Sequence, residues 1–127
     1  MRTTICLTAA LVLAAGSTPV LAKTAKHASF EINHTSWVYT EHGKKTRMSV
    51  DADGNYIENT VSGKHLDHGT AVMKDGKVCF TSKMNTDGEV CWTTKPVAVG
   101  GSMKTVSDKG EKLTVTRVKY SPLKMPG

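Results

Sequence analysis

Val78–Thr94 reads V-C-F-T-S-K-M-N-T-D-G-E-V-C-W-T-T. Two short apolar runs flank the turn signal Asn85-Thr86-Asp87-Gly88, and the spacing predicts a β-hairpin. With Cys79 set opposite Cys91, Val78 falls opposite Trp92, Phe80 opposite Val90 and Thr81 opposite Glu89. Side chains alternate along a strand, so Val78, Phe80, Val90 and Trp92 share one face while the two cysteines share the other. Opposed residues of a non-hydrogen-bonded antiparallel pair lie close enough for a disulfide to join them with little backbone movement. One register therefore satisfies both an apolar face and a Cys79–Cys91 bridge.

The cysteine argument depends on the compartment, which the first residues address. Arg2, the apolar run Ile5–Ala15 and the small residues around Val20-Leu21-Ala22 form a signal-peptide pattern over residues 1–22. The apolar run is shorter than the about 20 residues that cross a bilayer, so no membrane span is expected. Cleavage would remove Cys6 and leave Cys79 and Cys91 as the only cysteines. In a periplasmic or secreted protein such a pair forms a structural disulfide. Its spacing fits neither a C-x-x-C redox motif nor a zinc knuckle. The formal net charge of +6 includes Arg2, and the positive charge that remains after cleavage favours an acidic envelope component or an acidic protein as partner.

Working outward from the hairpin, the same grammar recurs. Residues 23–29 read as a flexible lead-in, 30–120 as a single β domain, and 121–127, with Pro122 and Pro126, as a tail. Trp37 and Tyr39 alternate with polar neighbours, as do Thr46, Met48 and Val50. Asn55–Thr60, His65–Met73, Met103–Ser107 and Lys112–Tyr120 complete a set of about eight short strands. Turn glycines at 43, 54, 76, 88, 100 and 110 separate them at steps of roughly 11 residues or twice that. No stretch carries a helical stripe. The expectation is all-β: an antiparallel meander curled into a small barrel or folded as a sandwich. In the last strand Leu113 and Val115 share a face with Arg117, which predicts either a bulge near Arg117 or an inward guanidinium.

Four constellations are candidates for chemistry. Lys64-His65-Leu66-Asp67-His68-Gly69 sets two imidazoles and a carboxylate within four residues, a donor set for Zn or Cu with His65 and His68 as ligands and Asp67 in support. Residues i and i+3 point to opposite faces of a regular strand, so the histidines converge only at a turn. Asp51-Ala52-Asp53-Gly54-Asn55-Tyr56-Ile57-Glu58 resembles a calcium loop, but its Gly and Glu fall at the wrong positions to wrap an ion and it reads as a turn. No nucleophile elbow, H-E-x-x-H or phosphate-cradling loop is present. Most acids, including Glu41, Asp87 and Glu111, sit in or beside turns, where carboxylates cap amides or meet water. Basic residues interleave with aromatics, as in single-strand binders, but behind an export signal no nucleic acid is expected.

Trp37-x-Tyr39, the D-x-D-G-N-Y of Asp51–Tyr56, His68-Gly69-Thr70, the K-D-G-K-x-C-F of Lys74–Phe80 and the G-E-x-C-W-T of Gly88–Thr93 together resemble small exported bacterial β-rich proteins of uncharacterised function. The most specific part is C-F-x(10)-C-W. The architecture is also similar to lipocalin-like and inhibitor-type small barrels, which implies a fold and no binding residue. The expected function is that of an exported, non-enzymatic binding domain for a protein, an envelope polymer or a small ligand, needing no cofactor. Trp37, Tyr39, Tyr56, Phe80 and Trp92 would line a cavity or fill it. The alternatives are a periplasmic Zn- or Cu-binding protein built on His65, Asp67 and His68, and a small hydrolase with a His–Asp pair.

Overall fold

The computed structural model describes Gly16 and residues 30–126; apart from Gly16, the expected leader over 1–22 and the lead-in over 23–29, which contains His27, lie outside the described residues. Eight strands follow in order: β1 (Thr35–Glu41), β2 (Lys44–Val50), β3 (Asn55–Thr60), β4 (His65–Lys74), β5 (Lys77–Ser82), β6 (Glu89–Thr93), β7 (Ser102–Val106) and β8 (Lys112–Val118). No helix among the described residues is long and apolar enough to cross a membrane. The β5–β6 hairpin has the register that its sequence predicts: Cys79 faces Cys91, Val78 faces Trp92, Phe80 faces Val90 and Thr81 faces Glu89. Cys79 and Cys91 are disulfide-bonded.

All neighbours are antiparallel, in the order β6-β5-β4-β3-β2-β1-β8-β7. The first and last strands therefore pair with each other, Ser36 opposite Val118 through Tyr39 opposite Val115. The two sheet edges, β6 and β7, then meet and form a nearly closed barrel, an even strand count allowing every contact to stay antiparallel. This seam is the thinnest part of the wall. Its one backbone bridge joins Trp92 and Ser107. Threonines replace the missing ladder: Thr105 Oγ1 donates to the Thr93 carbonyl at 2.6 Å and Thr93 Oγ1 accepts from the Val106 amide at 3.0 Å. The cause is local. Residues 94–101 hold Pro96 and a Gly100-Gly101 pair, so β6 and β7 are joined by a long loop and not a tight turn.

Alternation puts Trp37, Tyr39, Met48, Val50, Tyr56, Ala71, Val78, Met103 and Val115 inside, where they form the core with Ile32. One end of the barrel is sealed. Phe30 meets Trp37 edge-on at 5.8 Å, Ile32 is buried beside them, and the His34 amide donates to Asp51 at 3.3 Å. The C-terminal segment is laid over the outside of β1 and β2, where the Ser121 amide donates to Ser36 Oγ and the Leu123 amide to Ser49 Oγ. Ser36 and Ser49 are buried on that outer face for this reason. β8 keeps an unbroken register through Arg117, so no bulge resets it. Arg117 shares the inner-face parity of Val115, and its guanidinium donates to the Val97 carbonyl at 2.9 Å, tying down the β6–β7 loop.

β4 carries the two irregularities that matter for function. Between Glu58 opposite Asp67 and Asn59 opposite His65 the register shifts, leaving Leu66 as the extra residue of a β-bulge. Three residues on, Gly69 lies so close to β5 that a Cβ would stand 2.9 Å from the Thr81 carbonyl carbon and 3.0 Å from Ser82 Cα. Only glycine lets the strand turn this corner.

Candidate functional site

The sealed end leaves the other end of the barrel as the mouth, ringed by the β1–β2, β3–β4, β5–β6 and β7–β8 turns. A cavity of about 210 Å³ lies behind it. All five aromatics named from the sequence line it, in two tiers. Trp37, Tyr39 and Tyr56 are buried and form the floor, whereas Phe80 and Trp92 are partly buried walls. Tyr56 and Phe80 meet edge to face at 5.1 Å. Lining and filling are thus divided between the tiers. Met48, Val78, Val90, Met103, Leu113 and Val115 supply the rest of the apolar surface.

The polar part of the wall is acidic. Glu41, Glu58, Asp67, Asp87 and Glu111 line the cavity and no lysine, arginine or histidine does. Strand parity explains three of them: Glu41 follows Trp37 and Tyr39 inward, Glu58 follows Tyr56, and Asp67 faces Glu58 across the β3–β4 ladder. Two of these carboxylates, Glu58 and Asp67, are hydrogen-bonded, and among the described residues none of the five has an ion-pair partner. Glu58 Oε1 accepts from the Tyr39 hydroxyl at 2.6 Å. Asp67 accepts from the Tyr56 hydroxyl and its neighbour's amide, each at 2.8 Å, and from Ser82 Oγ. The one ion pair among the described residues, Lys74–Glu89, is on the outside. A second recess shares Glu41, Glu58 and Asp67 and is also lined by His42 and Lys44.

Burial shows in the proton affinities. The Glu58 carboxyl is raised above its ordinary value, first by burial and then by Glu41 and Asp67, with the Tyr39 hydroxyl acting against them. Glu41 is raised by burial, with His42 opposing and Glu111 adding repulsion. Tyr39 is pushed well up by burial and by Glu58. Tyr56 is raised by burial and by its bond to Asp67. Both tyrosines thus stay neutral donors to Glu58 and Asp67.

The residues proposed from sequence as a metal set are divided by the sheet. The bulge at Leu66 resets the parity of β4, so His65 and His68, three apart, emerge on the same outer face. His65 Nε2 lies 3.1 Å from His68 Nδ1. Asp67 is on the inner face with the tyrosines and does not join them. His34 stacks on Tyr120 at 3.8 Å, and the Asp51 carboxylate caps its own turn, accepting from the amides of Asp53 and Asn55 at 2.9 Å each. The calcium-like stretch is therefore a turn. Among the described residues the group of three or more metal-type donors within mutual reach is Cys79, Glu89 and Cys91. Its sulfurs are joined to each other and offer no thiolate.

Glu41, Glu58, Asp87 and Glu111 were not legible as site residues from turn chemistry alone. Alternation from Trp37–Tyr39 and from Tyr56 is the signal that places the first two inside. No family model, curated protein or solved structure matches the chain.

Proposed function

We propose that the protein is an exported, non-enzymatic binding domain whose barrel takes a small organic cation, an amine or guanidine on an apolar body. The observation that carries this reading is the set of carboxylates without an ion-pair partner among the described residues, Glu41, Glu58 and Asp67, inside a cavity walled by aromatic side chains. Buried charge without a partner is costly, and an entering cation removes that cost. Faces of Trp92, Phe80 and the tyrosines add cation–π attraction where water is excluded. A cavity of about 210 Å³ lies below the roughly 300–1,000 Å³ of drug-sized sites, so the ligand is small or enters by one end only. The disulfide supports a periplasmic or secreted setting.

The test uses Trp92, partly buried in the cavity wall, as a fluorescence reporter alongside calorimetry. Small arylalkyl amines are titrated against carboxylate and neutral compounds of the same body. Saturable binding of the amines only, weakened by Glu58→Gln, is the expected result. Equal binding of neutral and cationic compounds, or binding of neither, refutes the proposal.

A further inference from the structure

His65 and His68 belong to no part of the cavity, yet the fold spends an irregularity on bringing them together. In a regular strand they would point to opposite faces. The extra residue Leu66 breaks the β3–β4 ladder and places both imidazoles outside, with ring centroids 5.3 Å apart. Bulges that re-aim side chains recur beside functional sites. We infer that this pair, oriented by Asn59, is a binding site for a borderline divalent transition cation of the Zn or Cu type.

The hydrogen-bond pattern prepares one nitrogen for the task. Asn59 Oδ1 lies 2.8 Å from His65 Nδ1. A carbonyl oxygen only accepts, so His65 carries its proton on Nδ1 and presents a bare lone pair at Nε2. This is the outer-shell arrangement that fixes ligating histidines in metal sites. Without metal, that lone pair accepts from His68 Nδ1–H across the 3.1 Å separation. With a cation bound, His68 shifts its proton to Nε2 through solvent and both lone pairs turn to the ion, with no net proton change in the protein. Two nitrogens 3.1 Å apart, each about 2.0–2.1 Å from zinc, subtend an angle of about 100° at the metal, close to tetrahedral. Each lone pair swings off the N···N line by about 40°, which rotation of the two partly buried rings supplies. Water completes the coordination.

Charge sets the selectivity. Among the described residues no carboxylate joins this pair, and Arg47 stands opposite Asn59 in the adjoining row of the same face. Hard cations held by oxygen donors, calcium and magnesium, are therefore excluded, while imidazole suits zinc and copper.

The experiment titrates the disulfide-intact protein, free of any histidine tag, with zinc ion by calorimetry and follows imidazole nitrogen shifts by NMR. The expected result is one zinc per chain, a coordination shift at His65 Nε2 and His68 Nδ1, and no competition from excess calcium. His65→Ala and His68→Ala should each weaken binding at least tenfold and Asn59→Ala by about tenfold, while His42→Ala leaves it unchanged. Absence of saturable zinc binding, or undiminished affinity in the His65→Ala/His68→Ala protein, overturns the inference. Loss in one single variant only also overturns it. The nitrogen shifts of the unsubstituted protein decide the matter if a variant fails to fold.

Discussion

Replacing Gly69 by alanine should be among the most damaging single-methyl changes in this chain. Its backbone angles are not what forbids a side chain there; the neighbouring strand is. A Cβ would press against the Thr81 carbonyl, 2.9 Å from its carbon and closer still to its oxygen, and 3.0 Å from Ser82 Cα. These are backbone atoms, so relief requires β4 and β5 to part. The Lys83 amide bond to the His68 carbonyl, 2.8 Å, and the ladder around Gly69 opposite Ser82 are the first to open. Two or three such bonds at about 1 kcal/mol each, with buried groups left unpaired at about 1–3 kcal/mol, total about 3–5 kcal/mol. For a domain of this size that lowers Tm by about 15–30 °C. The comparison is Gly43→Ala, where φ is +73° but nothing lies within 4 Å, so only the left-handed conformation costs, about 1–2 kcal/mol. Urea and thermal unfolding of both variants are the assay. If Gly69→Ala loses no more stability than Gly43→Ala, the corner is not built on close approach and the reasoning fails.

Three further outcomes follow from the same structure. Glu58 has a raised proton affinity in the folded state, so the folded protein binds that proton more tightly than the unfolded chain does. Its ionised form costs stability above the raised value, and the cost disappears as pH falls toward the ordinary carboxylate range. Glu58→Gln should therefore raise Tm at pH 7, flatten the gain on acidification, and lower organic-cation affinity at least about tenfold; an unchanged pH profile of Tm counts against it. Cys79→Ser/Cys91→Ser, which opens a cross-link between residues 12 apart, should cost up to about 3 kcal/mol in denaturant and leave cation affinity intact, because both sulfurs are on the outer face. Trp37→Ala, at 1 % exposure, should cost about 3–5 kcal/mol in the same measurement.

The hairpin was legible because two independent constraints, an apolar face and a cysteine pair, allowed one register. The eight strands were legible from alternation and turn glycines, and their ends moved by a residue or two where pairing decided them. The His65–His68 convergence was not legible. A bulge has no composition of its own, and it arises here from the pairing of β3 with β4. The acidic interior was hidden for a different reason. A net charge of +6 averages over the surface and says nothing about Glu41, Glu58 and Asp67, which the fold gathers on the inside while the lysines stay out. Arg117 shows the converse: its break in the apolar pattern was visible, but its partner, the Val97 carbonyl, belongs to a loop that no periodicity describes.

The pairing of β1 with β8 also governs when this protein can finish folding. β1 meets β2 through a tight turn, but its other edge waits for residues at the far end of the chain. A nascent chain released from its N-terminus can build β1–β6 as a curling ribbon with two unsatisfied borders. Contacts of such wide sequence separation form slowly, and ribbons with open borders are the species that aggregate. Trp37 and Tyr39, opposite Arg117 and Val115, reach their final burial only when the last hairpin docks. Core completion therefore waits for β8, and a chain ending before Lys112 lacks the strand that closes it.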